Sequence, residues 1–173
     1  MTPSYEIRNA KPEEFEEISQ LMIKTFEQQE GFPNRHEQPD YYHLLANIGD
    51  FIKKSNSELL VAVTPDHKIM GTVVYFDKME FYGSGGIATK EVNTSSFRLL
   101  SVDDAARGKG VGKQLVLVCI EKARQHQAKQ LVIHTTKSMQ TAWKMYEALG
   151  FYRSEDLDFP MGDLIIYGFR LKL

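Results

Sequence analysis

From Phe15 onward the apolar positions recur three and four apart: Phe15, Ile18, Leu21, Met22 and Phe26. That spacing predicts an amphipathic helix. Pro12 opens it, and Glu13 and Glu14 occupy its first turn, where the helix dipole favours carboxylates. Ahead of it, YEIRNA alternates and predicts a short first strand. A second helical stripe, Tyr41, Leu44, Leu45, Ile48, Phe51 and Ile52, predicts one further helix capped by Asp40. The intervening EGFPNRHEQP, residues 30–39, is a loop by its glycine and prolines.

The period then changes. ELLVAV and IMGTVVYF are β-rich runs, and TPDHK between them reads as a hairpin turn. Residues 80–96, EFYGSGGIATKEVNTSS, hold no period and predict a long mobile loop. FRLLSV, 97–102, is a fourth strand, and a helix runs from Val111 to about His126. QLVIHTT is a fifth strand, and Met139 to Leu149 is a helix stopped by Gly150. FYRSEDLDF and DLIIYGFRLKL read as two closing strands. No repeat, linker or low-complexity tract divides this order, which predicts one α/β domain over residues 1–173.

Composition changes the picture little. Hydrophobic residues at 42% and charged residues at 25% fit a soluble globular protein. A net charge of -2 offers no general attraction to nucleic acid or an anionic membrane. The N-terminus has no apolar leader segment and no stretch suffices to span a bilayer, so a cytoplasmic location is expected. The one cysteine, Cys119, excludes an internal disulfide and paired-cysteine metal sites. It lies in an apolar stripe and reads as a small buried hydrophobe, and no metal is expected.

The candidate chemistry sits between the fourth strand and the helix after it. ARGKGVGKQL sets Gly108, Gly110 and Gly112 in alternate positions. A glycine loop running into a helix N-terminus collects unpartnered N–H groups and partial positive charge, which suits a phosphate or pyrophosphate. Arg107 and Lys113 add charge. The triphosphate-loop pattern fails, because Gly108 and Gly112 are four apart and Gln114 follows Lys113. The dinucleotide fingerprint fails because Lys113 or Leu115 falls where its third glycine is needed.

Arg107, Gly110 and Gly112 do meet the pattern Arg/Gln-x-x-Gly-x-Gly/Ala, and AWKMYEALGF supplies Ala-x-x-x-Tyr-x-x-x-Gly-Phe at 142–151. In these motifs the chain resembles the GNAT superfamily of N-acetyltransferases. The resemblance implies a central mixed, mostly antiparallel sheet with splayed parallel strands 4 and 5, flanked by helices. It implies acetyl-coenzyme A as cosubstrate. Backbone groups of Leu100 and Val102, with Ser101 between them, would meet the pantetheine. The amides of Arg107, Gly108, Lys109, Gly110, Val111, Gly112 and Lys113 would meet the pyrophosphate. Tyr146 would be the proton donor to the leaving thiolate.

Three positions depart from the family. Met139 stands where many members have asparagine, SSFRLLSV carries no acid, and Ala105-Ala106 replaces a proline-containing turn. Glu80, Glu91, Glu30 or water is left as the base. The acceptor side is expected to be walled by the 30–39 loop, the 80–96 loop and the 155–163 turn, bringing Phe32, Arg35, His36, Tyr82 and Phe159. Exposed aromatics and Glu30 would suit a cationic amine, although each of these residues taken singly reads better as a loop anchor. His134 reads as a structural histidine. Trp143, off its helix stripe, is expected under the C-terminal strands or against a partner, so a homodimer is permitted. Direct transfer to a primary amine of a small molecule or peptide is the leading expectation. A non-catalytic acyl-coenzyme-A-binding module is the alternative.

Overall fold

The computed structural model describes residues 4–173. One sheet carries eight strands: β1 (Glu6–Asn9), β2 (Glu58–Val63), β3 (Ile69–Phe76), β4 (Thr94–Val102), β5 (Gln130–Thr135), β6 (Tyr152–Arg153), β7 (Phe159–Met161) and β8 (Leu164–Lys172). Their order is β1-β2-β3-β4-β5-β8-β6, with β7 added on β8. Only β4 and β5 run parallel; every other pair is antiparallel. This is the mixed sheet that the motifs imply.

Helices α1 (Phe15–Glu27), α2 (Pro39–Ala46) and α3 (Ile48–Ser55) cover one face. Helices α4 (Val111–Gln125) and α5 (Gln140–Ala148) cover the other. β2 shows why. Leu59, Val61 and Val63 join the first core while Leu60 and Ala62 join the second, because successive side chains of a strand alternate faces. A sheet covered on both faces needs apolar residues throughout, and all eight positions of β3 are buried. Among the described residues no helix is long and apolar enough to cross a membrane.

Three details correct the pattern reading. The stripe from Tyr41 to Ile52 is two helices, not one. Asn47 leaves helical geometry at φ -123, ψ 48, and its side-chain amide and backbone N–H both donate to the His43 carbonyl, at 2.8 and 3.1 Å. Those bonds satisfy the open carbonyl end of α2 and stop it. Asp40 is not the cap; Gln38 precedes the helix and Pro39 opens it. β4 begins at Thr94, because Thr94, Ser95 and Ser96 pair with β5 despite their polarity.

The C-terminal segment makes three strands rather than two. FYRSEDLDF gives the two-residue β6, a 3-10 turn, Glu155–Leu157, and the first residue of β7. Arg153 holds that turn down. Its guanidinium donates to both Asp158 carboxylate oxygens, at 2.9 and 2.7 Å, and to the Gly168 carbonyl at 2.6 Å. The turn lies so close to β8 that a Cβ on Gly168 would sit 2.2 Å from Leu157 Cβ. Trp143 packs on the same strand, edge-on to Phe169 at 4.8 Å and to Tyr167 at 5.4 Å. Its place is therefore under the C-terminal strand.

Replacing Gly168 by alanine is expected to destabilise the protein by about 1–3 kcal/mol through overpacking against Leu157. The midpoint of urea unfolding reads this. An unchanged midpoint would show that the turn does not press on β8.

Candidate active site at the fork between β4 and β5

β4 and β5 pair through only three positions, Thr94–Gln130, Ser95–Leu131 and Ser96–Val132. At the last of these the Ser96 hydroxyl donates to the Val132 carbonyl. Beyond it β4 continues for six residues without β5. A bulge on the other edge of β4 accompanies the parting. Val74 of β3 opposes Arg98 and Thr72 opposes Ser101, so Leu99 and Leu100 face the single residue Val73. Leu99 takes φ 63, a left-handed conformation that costs a leucine about 1–2 kcal/mol. A bulge bends its strand and re-aims nearby side chains, often next to active sites. Here it keeps β4 paired to β3 as far as Val102 while the fork opens.

A groove of about 690 Å³ leads from the fork to the glycine loop. Leu100 and Val102 line one side, and Gln140, Ala142 and Met145 of α5 line the other. Asp103 turns the chain after β4, its carboxylate accepting from the Ala105 N–H at 3.1 Å. Gly108 and Gly110 follow at φ 76 and φ 79. A Cβ on either would meet nothing within 4 Å, so backbone conformation, not crowding, demands glycine there. Gly110 is the N-cap of α4, whose first turn holds no acid and does hold Lys113. That reverses the usual preference for carboxylates in a first turn and leaves the positive end of the helix free for an anion. Arg107, with its guanidinium 3.3 Å from Asp104, also lines the groove. Such a donor set fits a pyrophosphate.

The sequence-predicted residues divide here. Leu100, Val102, Arg107, Gly108, Gly110, Val111, Gly112 and Lys113 all line the groove. Ser101 and Lys109 do not. The Ser101 side chain is buried and donates to the Leu99 carbonyl at 3.2 Å, and Lys109 is exposed.

A second cavity, of about 220 Å³, meets the groove at Phe26, Leu100, Met139 and Ala142. Its walls come from the three expected segments: Phe32, Tyr82 to Gly85, and Phe159 with Met161. Tyr146 lines it from α5, packed against Phe97 and Phe151 at 5.9 and 5.7 Å. Its hydroxyl makes no hydrogen bond among the described residues, and burial pushes its pKa up, so it stays protonated. Met139, at the start of α5, touches both cavities.

No carboxylate lines the second cavity among the described residues. Glu30 and Glu80 are exposed, and Glu91 is tied to Arg170 at 2.7 Å. Arg35 pairs with Glu27 at 2.5 Å and His36 is exposed; neither lines the cavity. His134 does line it, but both ring nitrogens are engaged. Nε2 donates to the Leu157 carbonyl at 2.9 Å, so Nδ1 accepts from the Tyr82 hydroxyl at 3.0 Å. Burial first, and then the charge of Arg98, hold its pKa below the ordinary histidine value. It is a structural histidine. Cys119 is fully buried, and burial pushes its thiol up, which makes it inert. Pattern reading passed over the cavity's one charged side chain, Arg98. The available signal was a lone cation inside an otherwise small and apolar strand.

A forked mixed sheet with an anion loop at its mouth and a second cavity at its apex defines an acyltransferase-type fold. The sequence model of the acetyltransferase (GNAT) family matches residues 15–151, and the chain belongs to that family. It is 32% identical over 126 residues to YjgM of Escherichia coli (strain K12), an uncharacterized N-acetyltransferase; the match covers 70% of this chain and 72% of that protein. Among solved structures it resembles a GNAT-family acetyltransferase of Staphylococcus aureus Mu50, with TM-score 0.73, 20% identity, and coverage of 97% and 98% of the two chains. It also resembles yncA of Salmonella typhimurium, solved with its cofactor acetyl-CoA, with TM-score 0.67, 15% identity, and coverage of 98% and 94%.

His134 yields a pH test. In the unfolded chain it titrates near about 6.5, and in the folded protein lower. Between those values the unfolded state binds more protons. The contribution of His134 is therefore complete above about pH 6.5 and is lost as pH falls towards the folded value. Urea unfolding at pH 7.5 and 5.5 should show the wild type losing stability, with part of that loss missing in His134→Gln. An identical loss in both proteins would refute the buried neutral histidine.

Proposed function

We propose that the protein, with residues 1–173 acting as one domain, moves an acetyl group from acetyl-CoA directly to a primary amine of a small molecule or peptide. The observation that carries this reading is the meeting of two cavities at the fork beside an unengaged Tyr146 hydroxyl. The loop from Arg107 to Lys113 would hold the pyrophosphate with backbone N–H groups and two cations, and the edge of β4 at Leu100 and Val102 would hold the pantetheine. Bound there, acetyl-CoA supplies an activated thioester. The acceptor cavity is smaller than the roughly 300–1,000 Å³ of drug-sized ligand pockets, which favours a small acceptor.

The amine arrives as an ammonium and must lose a proton before it attacks. With no carboxylate in the cavity, that proton leaves to water. The aromatic walls and Arg98 both disfavour a second cation and so favour the neutral amine. The amine nitrogen bonds to the acetyl carbon, the carbon–sulfur bond breaks, and Tyr146 gives its proton to the departing sulfur. The second proton of the amine then restores the tyrosine through water. The products are the acetamide and the free thiol, with one proton released for each ammonium consumed.

A binding module without turnover is the competing reading, favoured by Met139 and by the cavity's lack of a carboxylate. Thiol release across an amine panel separates the two. Tyr146→Phe is expected to lower kcat by about 10²–10⁴-fold with acetyl-CoA affinity kept. Gly110→Glu is expected to abolish acetyl-CoA binding. The wild-type kcat/KM should rise with pH up to the acceptor's own amine pKa, because no side chain acts as the base. Tight acetyl-CoA binding with no turnover of any amine would favour the binding module, and full activity in Tyr146→Phe would remove the tyrosine from the mechanism.

A further inference from the structure

Four arginines are half-buried: Arg8, Arg98, Arg153 and Arg170. Three hold carboxylates, Arg8 with Glu14 at 2.8 Å, Arg153 with Asp158 at 2.7 Å and Arg170 with Glu91 at 2.7 Å. Arg98 forms no ion pair among the described residues, yet it lines the acceptor cavity. Its Nη1 donates to the Tyr82 carbonyl at 2.9 Å, and its guanidinium carbon lies 5.8 Å from the centre of the Phe51 ring. A guanidinium has five N–H donors, and among the described residues this one meets the Tyr82 carbonyl and the Tyr41 hydroxyl, both neutral, and no carboxylate. The groups around it are neutral. Burial raises the hydroxyls of Tyr41 and Tyr82 above the ordinary tyrosine value, and His134 is held uncharged.

A partly desolvated cation without a counter-charge is unfavourable, and a cationic amine brought beside it adds a second positive charge. An acceptor that carries its own anion removes both difficulties. From this juxtaposition we propose that Arg98 binds the carboxylate of the acceptor, and that the acceptor is a free amino acid. The proposal rests on the acetyltransferase reading and deepens it. A planar guanidinium matches a carboxylate with two parallel hydrogen bonds, which fixes orientation as well as charge. Pairing also takes the carboxylate away from the substrate's own ammonium, so the amine loses its proton more readily. The bulge that sets Leu99 at positive φ lies next to Arg98, and its residues Leu99 and Leu100 line the same cavity. This disposition argues against the cationic amine that Glu30 would suit.

The test compares each proteinogenic amino acid with its carboxamide and its decarboxylated amine, by thiol release from acetyl-CoA and by calorimetry in the presence of coenzyme A. The wild type, Arg98→Gln and Arg98→Lys are run together, with circular dichroism as the check on folding. At least one amino acid should exceed its carboxamide in kcat/KM and in affinity by about 10- to 100-fold. Arg98→Gln should erase that ratio by lowering the amino acid far more than the carboxamide. Arg98→Lys keeps the charge without the fork and should keep part of the ratio. If Arg98→Gln does not fold, the wild-type ratio and its reduction in Arg98→Lys decide.

Equal handling of acid and carboxamide by the wild type overturns the proposal, and so does the absence of binding by any amino acid. An equal loss for both ligands in Arg98→Gln also overturns it, since that is what a merely structural latch on Tyr82 predicts. Failure of the enzyme reading looks different: acetyl-CoA binds and nothing turns over, while calorimetry still reports whether Arg98 distinguishes acid from amide.

Discussion

The ladder between β4 and β5 stops after three residue pairs, and the rest of the site depends on that stop. A continued ladder would bury the edge of β4 against β5 and leave no room for a ligand between the strands. The parting instead exposes main chain from Phe97 onward, inside a sheet that is otherwise paired. Two local devices hold it. The Ser96 hydroxyl caps the Val132 carbonyl at the apex, and the bulge at Leu99 and Leu100 lets β4 bend without losing β3. The second device stores strain, since a leucine at φ 63 is kept there only by its surroundings. Leu99 is buried in the core shared with α1, so packing supplies the restraint.

The fork and the anion loop are one construction. β4 emerges from the fork, turns at Asp103, passes through Gly108 and Gly110 and enters α4. Whatever lies along β4 is thereby aimed at the helix N-terminus. α5 closes the opposite side and brings Tyr146 to the apex, where groove and cavity share Phe26, Leu100, Met139 and Ala142. The helix that completes the groove also carries Tyr146, whose hydroxyl makes no hydrogen bond among the described residues.

Much of this was legible from the chain. Gly108 and Gly110 announce positive φ because few other residues tolerate it, and the period of two in β2 and β3 announces a sheet with two covered faces. Both signals are local, so sequence carries them. What sequence does not carry is the placement of segments far apart along the chain. Phe32, Tyr82 and Phe159 meet in one cavity only after the sheet is assembled, while Arg35 and His36 from the same loop stay outside it. The break at Asn47 was hidden because the apolar stripe continues through it. Arg98 was hidden because its place in the cavity wall lies beside a bulge, and a leucine at positive φ leaves no mark in a hydrophobicity pattern. The Ser101 side chain points away from the groove because successive residues of a strand alternate faces.

The three-pair joint also divides the sheet. β1 to β4 form one half and β5 to β8 the other, and across the joint the backbone contributes little beyond those pairs. Side chains such as Phe97, Leu131 and Phe151 tie the halves through the second core. A ligand lying along both lips of the fork acts as a splint between them. Its binding energy then counts towards holding the native sheet together, because a molecule that binds only the folded chain stabilises it. In that sense a molecule seated in the fork would also serve as a removable structural part of the sheet.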